Sequence, residues 1–389
     1  MRVLLAFDKF KDSLTAPAAC DITAHALREA HPDWTIDSCP LADGGEGFCE
    51  ILTAAAGGEL KKFRVTAPRG GEIEAPIGFV SLEKIPPAAR ALLQIENRAS
   101  RTENLRVAVI EMAAASGLAL LPPDQRDPWQ TTTAGTGELI RAAADLGAGA
   151  IALGIGGSAT NDLGLGALGA LGLDLLDRAG QKISPATPAR WPHAARFAGA
   201  VPASLPPIRI ACDVTNPLLG PRGAAAIYGP QKGLRPEDFA RLDHECARLG
   251  LMLCAHCHQP DSLMDAPGAG AAGGISFGLM TASRAKLLPG FDLVSAWLDL
   301  ERRLATADLV ITGEGRFDES SLSGKGPGAV AARALTLGKR VHVFAGAVTA
   351  QSRAGLALHA ITPAGTPLEQ ALHDASANLG HAVQLAFSA

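Results

Sequence analysis

Short apolar runs, several ending in Gly, Asp or Thr and many separated by stretches with helical spacing, constrain this chain more than any other feature. The runs are VLLAF (3–7), RVAVIEM (106–112), AIALGIGG (150–157), IRIACD (208–213), DLVITGEG (308–315) and RVHVFAG (340–346). Between many of them lie stretches such as TAPAACDITAHALREAH and GELIRAAADLGAG. Strand followed by helix, repeated, implies parallel β-α-β units with helices on the sheet faces. Unbroken apolar character is what strands covered on both faces require. The fold class is therefore α/β. At 389 residues the chain exceeds one comfortable core, so two domains are expected.

Composition excludes several classes of function. Net charge is −4 and aromatic residues make up 4 %, so neither a basic footprint nor a stacking surface for nucleic acid is present. The first apolar run is five residues long and ends before Asp8, too short for a signal-peptide core or a membrane span. It reads as a first strand, and a cytoplasmic location is expected. The seven scattered cysteines read as buried thiols in a reducing compartment. CAHCH (254–258) matches a haem-attachment pattern, but it closes an amphipathic helix with Phe239, Leu242, Cys246, Leu249 and Leu253 on one face. Packing is the preferred reading. Residues 81–105 read as a polar surface loop or short helix, and 184–207 as an irregular connection.

Polar residues gather after the apolar runs, where open α/β sheets bind ligands. DKFKDSLTAP offers Asp8, Lys9, Lys11, Asp12 and Ser13 before a helix capped by Ser13 or Thr15, a start that favours an anion. In CPLADGGEGF, Asp43 and Glu46 flank Gly44 and Gly45, suggesting Mg²⁺ or substrate-hydroxyl contacts. TTTAGTGELI places Thr131, Thr132, Thr133 and Thr136 at a helix start, another anion-accepting geometry. GIGGSATND supplies Gly154, Gly156 and Gly157 for close backbone approach, Ser158 and Thr160 as donors, and Asn161 and Asp162. It is neither a Walker A loop nor a dinucleotide fingerprint.

ACDVTNPLLGPRGAAAIYGPQKG puts Asp213 beside Thr215 and Asn216, with Arg222 and Lys232 further on. A general base belongs at such a rigid strand end, and Asp213 is the group expected to accept a substrate proton. ITGEGRFDESSLSGKGP combines Gly313 and Gly315 with Glu314, Arg316, Asp318 and Lys325, carboxylates for a metal and cations for phosphate. Each segment taken alone also reads as an ordinary turn or cap. Together they share phosphate, divalent metal and a hydroxyl acceptor, the ingredients of phosphoryl transfer.

In that order, and with EMAAASGL (111–118) and PGAGAAGGISFGL (267–279), these blocks resemble bacterial glycerate kinases of the glycerate 2-kinase type, from residue 3 to about 346. The resemblance implies transfer of the ATP γ-phosphate to D-glycerate, giving 2-phosphoglycerate, with Mg²⁺ required. It implies small-molecule partners only, no membrane or nucleic acid, and a monomer or homodimer. It also implies a Rossmann/flavodoxin-like domain built from 1–62 and 288–389, an inserted α/β domain over 63–287, and an active site in the cleft between.

Matching motif by motif, the resemblance implies catalytic roles for Asp213, Lys11 and Arg316 and metal-binding roles for Glu314 and Asp318. The expected binding residues are Asp8, Ser13, Asp43, Gly44, Gly45, Glu46, Thr136, Gly156, Gly157, Ser158, Asn161, Asp162, Thr215, Asn216, Gly313 and Lys325. Phe48, Leu163, Leu165 and Phe317 are bulkier than the family pattern. The alternatives are a kinase for another small hydroxy-acid or one giving 3-phosphoglycerate, and a non-catalytic nucleotide-binding regulator. A dehydrogenase is a further reading, which the glycine spacing does not favour.

Overall fold

The computed structural model describes residues 1–95, 105–322 and 326–388. In chain order the strands are β1 (Arg2–Phe7), β2 (Thr35–Ser38), β3 (Glu59–Thr66), β4 (Glu72–Ser81), β5 (Arg106–Glu111), β6 (Ala150–Gly154) and β7 (Leu173–Asp177). They continue as β8 (Ala194–Gly199), β9 (Ile208–Ala211), β10 (Lys286–Leu288), β11 (Leu309–Phe317), β12 (Arg340–Val348) and β13 (Leu356–Ala360). The six apolar runs became β1, β5, β6, β9, β11 and β12. No helix among the described residues is long and apolar enough to cross a membrane.

Two compact units form, one from Met1–Asp43 with Val294–Ala389 and one from Gly44–Leu293. The first boundary therefore falls within PLADGGEGF, earlier than the sequence expectation of residue 62. The reason is local: the helix Phe48–Ala55 packs on β4 and β5, and β3 pairs antiparallel with β4. Residues 44–62 thus belong to the second unit.

The first unit is a five-stranded sheet in the order β13-β12-β11-β1-β2, parallel at every pairing. Its central strands are covered on both faces, so Val3–Phe7 of β1 and Leu309–Gly313 of β11 are buried without a break. The helix Ala16–Ala30 covers one face with Ala19, Cys20, Thr23, Ala24 and Leu27, spaced three or four apart. Its cap is Thr15, whose hydroxyl accepts the Ala18 N–H at 3.3 Å. Ser13 instead donates to the Phe10 carbonyl at 3.1 Å and braces the preceding turn.

From β1 the chain passes to β2 on one side, while β11, β12 and β13 continue on the other. The topological switch therefore lies between the carboxyl ends of β1 and β11, the crevice position such sheets use for ligands.

The second unit has a six-stranded sheet, β10-β9-β6-β5-β4-β3, whose first four strands are parallel. A separate pair, β7-β8, is antiparallel. It turns part of 184–207, expected as irregular, into a strand. The segment after residue 81 forms a short 3₁₀ turn, Leu82–Lys84, and a helix, Pro87–Leu93. The amphipathic helix spans Phe239–His256 and buries Leu242, Cys246, Leu249 and Leu253. Cys254 lies inside as well, its thiol pushed up to about 11 chiefly by burial.

Candidate active site

In the first unit, polar residues converge where the topology predicts. Phe7 and Gly313 are register partners, so Asp8, just past the end of β1, lies next to Glu314, where β11 runs on beyond β1. The Asp8 N–H donates to the Gly313 carbonyl at 3.0 Å. Gly315 is close enough to the turn before the helix Ala16–Ala30 that a Cβ on it would lie 3.4 Å from the backbone nitrogen of Lys11. Lys9 and Asp43 form an ion pair at 3.7 Å, as do Arg316 and Asp318. Asp318 and Ser321 clasp reciprocally, each backbone N–H donating to the other's side chain at 3.2 Å.

Glu314 carries the strongest electrostatic signature of this group. Burial pushes its carboxyl up to about 7, and the neighbouring Asp8, Asp318 and Asp43 carboxylates add to the rise, against a lowering contact from Ser321. Of the residues expected in this unit, Asp8, Asp43, Glu314 and Asp318 are thus brought together, Arg316 pairs with Asp318, and Lys11 approaches Gly315 through its backbone. Lys325 lies outside the described residues. Gly313 serves packing: a Cβ there would sit 1.9 Å from the Phe344 carbonyl, so the close approach of β11 and β12 excludes any side chain.

In the second unit the turn at Gly44–Gly45 and the loops after β5 and β6 are joined by backbone contacts. The Gly156 N–H donates to the Gly44 carbonyl at 2.9 Å, and a Cβ on Gly156 would meet Gly45 Cα at 2.7 Å. The glycines let two turns touch backbone to backbone. Leu118 N–H donates to Gly157 O at 2.7 Å and Ala159 N–H to Ser116 O at 2.9 Å, tying the same turn to the loop after β5. Glu46 lies beside Gly157, while Glu111 accepts the N–H groups of Gly47 and Cys49 at 3.0 and 3.3 Å.

Several residues expected to contact ligand face inward instead. Asp162 is wholly buried. It accepts from Thr133 N–H (2.8 Å), Thr133 Oγ1 (2.9 Å), Gly166 N–H (3.2 Å) and, through its other oxygen, Gly164 N–H (3.1 Å). The acceptor at the Thr-rich helix start is therefore the protein's own Asp162 carboxyl group, whose pKa burial pushes up against the lowering contacts from Thr133, Gly166 and Gly164. Thr136 shares a hydrogen bond with Ser116 at 2.9 Å in the interior. Asn161 is likewise buried, with Nδ2 facing the Cys246 sulfur at 3.8 Å. Phe48, Leu163, Leu165 and Phe317, the bulky departures, all pack inside.

Asp213 is half-buried and follows β9 as expected. Its two oxygens accept the N–H groups of Gly290 and Phe291 at 3.0 and 2.8 Å, capping the helix Gly290–Trp297. Asn216 donates to Arg222 O at 2.8 Å and accepts from the Tyr228 hydroxyl at 2.7 Å, which fixes the loop. Thr215 is exposed.

Sequence reasoning placed Lys232 only as a cation downstream of Asp213, yet it is one of the most buried side chains in the molecule. It is 1 % exposed, and its Nζ donates to Ser158 Oγ at 2.9 Å and Thr160 O at 2.6 Å. Burial pushes its ammonium down to about 7, against an opposing pull from Asp162. Lysine burial has no local sequence signature. Glu111 does have one, a carboxylate inside the apolar run VAVIEM.

Both units thus present their polar loops at the carboxyl ends of parallel strands, as ligand-binding α/β proteins do. The family model for the glycerate kinase family matches residues 3–388. The chain is 39 % identical to a glycerate kinase of Bacillus subtilis (strain 168), over 97 % of this chain and 94 % of that one. It is 38 % identical to a glycerate 2-kinase of Escherichia coli (strain K12), over 90 % and 86 %. A solved structure from Salmonella typhimurium LT2, described as a glycerate kinase 2, aligns with a TM-score of 0.75 at 39 % identity, covering 100 % of this chain and 97 % of that one. By sequence along nearly its whole length and by fold, this chain belongs to the glycerate kinase family, a family of kinases.

Proposed function

We propose that the chain transfers the γ-phosphate of ATP to the 2-hydroxyl of D-glycerate, giving 2-phosphoglycerate and ADP. The observation that carries this reading is the carboxylate cluster at the β1/β11 switch point, where Glu314 sits partly desolvated among Asp8, Asp43 and Asp318. Mutually repelling carboxylates are relieved by a cation. Among the described residues no three His, Cys, Asp or Glu side chains form a ready metal cage. Mg²⁺ needs none, because it binds through one or two carboxylates together with phosphate oxygens and water.

Glu314 and Asp318 are the proposed Mg²⁺ ligands, directly or through water, with Asp8 and Asp43 beside them. Bound there, Mg²⁺ neutralises phosphate charge. Lys11 and Arg316 are proposed to add positive charge for phosphate or carboxylate groups. Gly44, Gly45, Glu46, Gly156, Gly157 and Ser158 form the proposed binding turns. Asp213, held by two helix N–H groups, is proposed to orient the glycerate hydroxyl and accept its proton. The name of the Escherichia coli relative supports the 2-position.

Phosphorus NMR after turnover with D-glycerate and MgATP tests this directly. A 2-phosphoglycerate resonance is expected. A 3-phosphoglycerate resonance would refute the regiochemistry, and absence of any phosphorylated product would refute the activity. L-Glycerate, glycolate and tartronate, run in parallel, would reveal a different hydroxy-acid as acceptor.

A further inference from the structure

A second concave site lies in the Gly44–Leu293 unit, at the opposite ends of its parallel strands from Asp213. It is a cavity of about 1070 Å³, bordered by the strand starts at Gly149, Pro207 and Lys286. That volume is at the upper end of small-molecule pockets, roughly 300–1000 Å³. Four of its lining residues are cations: Arg90, Arg209, Arg284 and Lys286. No Asp or Glu is among the described lining residues.

Arg209 is the anchor. It is 7 % exposed, and Lys286 is its register partner on β10, which sets two like charges side by side. Such pairs repel. Arg209 donates to the carbonyls of Leu93 (2.6 Å), Ile208 (3.4 Å) and Gln94 (3.3 Å), and Lys286 to Gln94 Oε1 (3.0 Å). These partners are neutral. The carbonyl end of the helix Pro87–Leu93 contributes about half a negative charge at most. Among the described residues, the four cations thus share the cavity wall with no carboxylate. An arginine has five N–H donors, of which Arg209 uses three in these bonds. Its planar fork suits phosphate oxygens.

We propose that this cavity binds a small, multiply charged phosphate-bearing molecule, with buried Arg209 as its anchor and Arg90, Arg284 and Lys286 around it. The inference does not depend on the kinase reading, because it concerns the other ends of the strands.

Pyrophosphate is a suitable probe, titrated calorimetrically into the full chain. The Arg284→Asn/Lys286→Gln double variant changes two exposed residues, and asparagine tolerates the left-handed backbone at position 284 (φ 56°). Pyrophosphate affinity is expected to fall at least about tenfold in this variant, the loss of one charge-assisted contact or more. Arg90→Gln, made separately, is expected to weaken binding in the same direction. Lys11→Ala, in the other unit, is expected to leave this site intact. The proposal is overturned if the wild-type chain shows no binding, if the double variant binds as the wild type does, or if Lys11→Ala alone abolishes all binding.

Discussion

The Asp162 carboxylate accepts both the backbone N–H and the hydroxyl of Thr133. One side chain thereby closes the start of the helix Ala134–Asp145 and, through Gly164 and Gly166, holds the turn that follows Ser158. A helix start that could accept a ligand anion is committed to an internal carboxyl group.

Asp162→Ala should accordingly leave several buried N–H groups without an acceptor. A loss of about 3–5 kcal/mol is expected for the second unit, the range for removing one partner from a buried charged network. Denaturant unfolding followed by hydrogen exchange at residues 133–166 would measure it. A loss below about 1 kcal/mol would show that water replaces the carboxylate.

Lys232 makes stability depend on pH in a defined direction. Its folded-state pKa of about 7 lies below the ordinary 10.5, so the unfolded chain binds the extra proton between these values. Stability contributed at this position should therefore rise as pH increases from about 7 toward 10.5 and be flat below about 7. Lys232→Met should remove that slope. Melting curves of both proteins across this range would show it, and parallel curves would contradict the assignment.

Glu314 acts in the opposite sense. Its pKa is raised from 4.5 to about 7, so the folded chain holds the proton more tightly and stability should fall as pH rises from 4.5 through 7. Glu314→Gln should be the more stable protein at pH 8 without Mg²⁺, with the difference vanishing near pH 4.5. On the proposed metal role, Mg²⁺ at pH 8 should stabilise the wild type more than the variant, and the Mg²⁺ needed for half-maximal turnover should rise about tenfold or more in Glu314→Gln. An unchanged Mg²⁺ requirement would remove Glu314 from the metal site.

Asp213→Asn keeps one acceptor for the helix Gly290–Trp297 and should fold. If Asp213 accepts the glycerate proton, kcat should drop by a factor of about 10² or more. Near-normal kcat would reduce Asp213 to a helix cap.

Six strands were legible in the sequence because most of each is buried in the centre of a sheet and reads as a predominantly apolar run. The β3-β4 hairpin was not. Its outer face carries Lys62, Arg64, Glu72 and Glu74, so the apolar signal is halved and alternates with charge. The β8 strand, AARFAG, buries only Phe197 and was equally hidden. The unit boundary at Asp43 could not be read, because nothing local distinguishes a glycine turn within a domain from one that leaves it.

At the candidate site, the residue types and their positions after the strands were determined by sequence alone. An anion, a cation and a hydroxyl acceptor can be inferred from which side chains follow apolar runs. Tertiary structure decided which of those side chains turn outward. Asp8, Glu314 and Asp318 cluster beside strand ends, whereas Thr136, Asn161 and Asp162 are enclosed, and Lys232 is buried against Ser158. The difference is physical: a strand end specifies where a loop begins, but the direction of a polar group depends on packing and hydrogen-bond partners that lie far away in sequence.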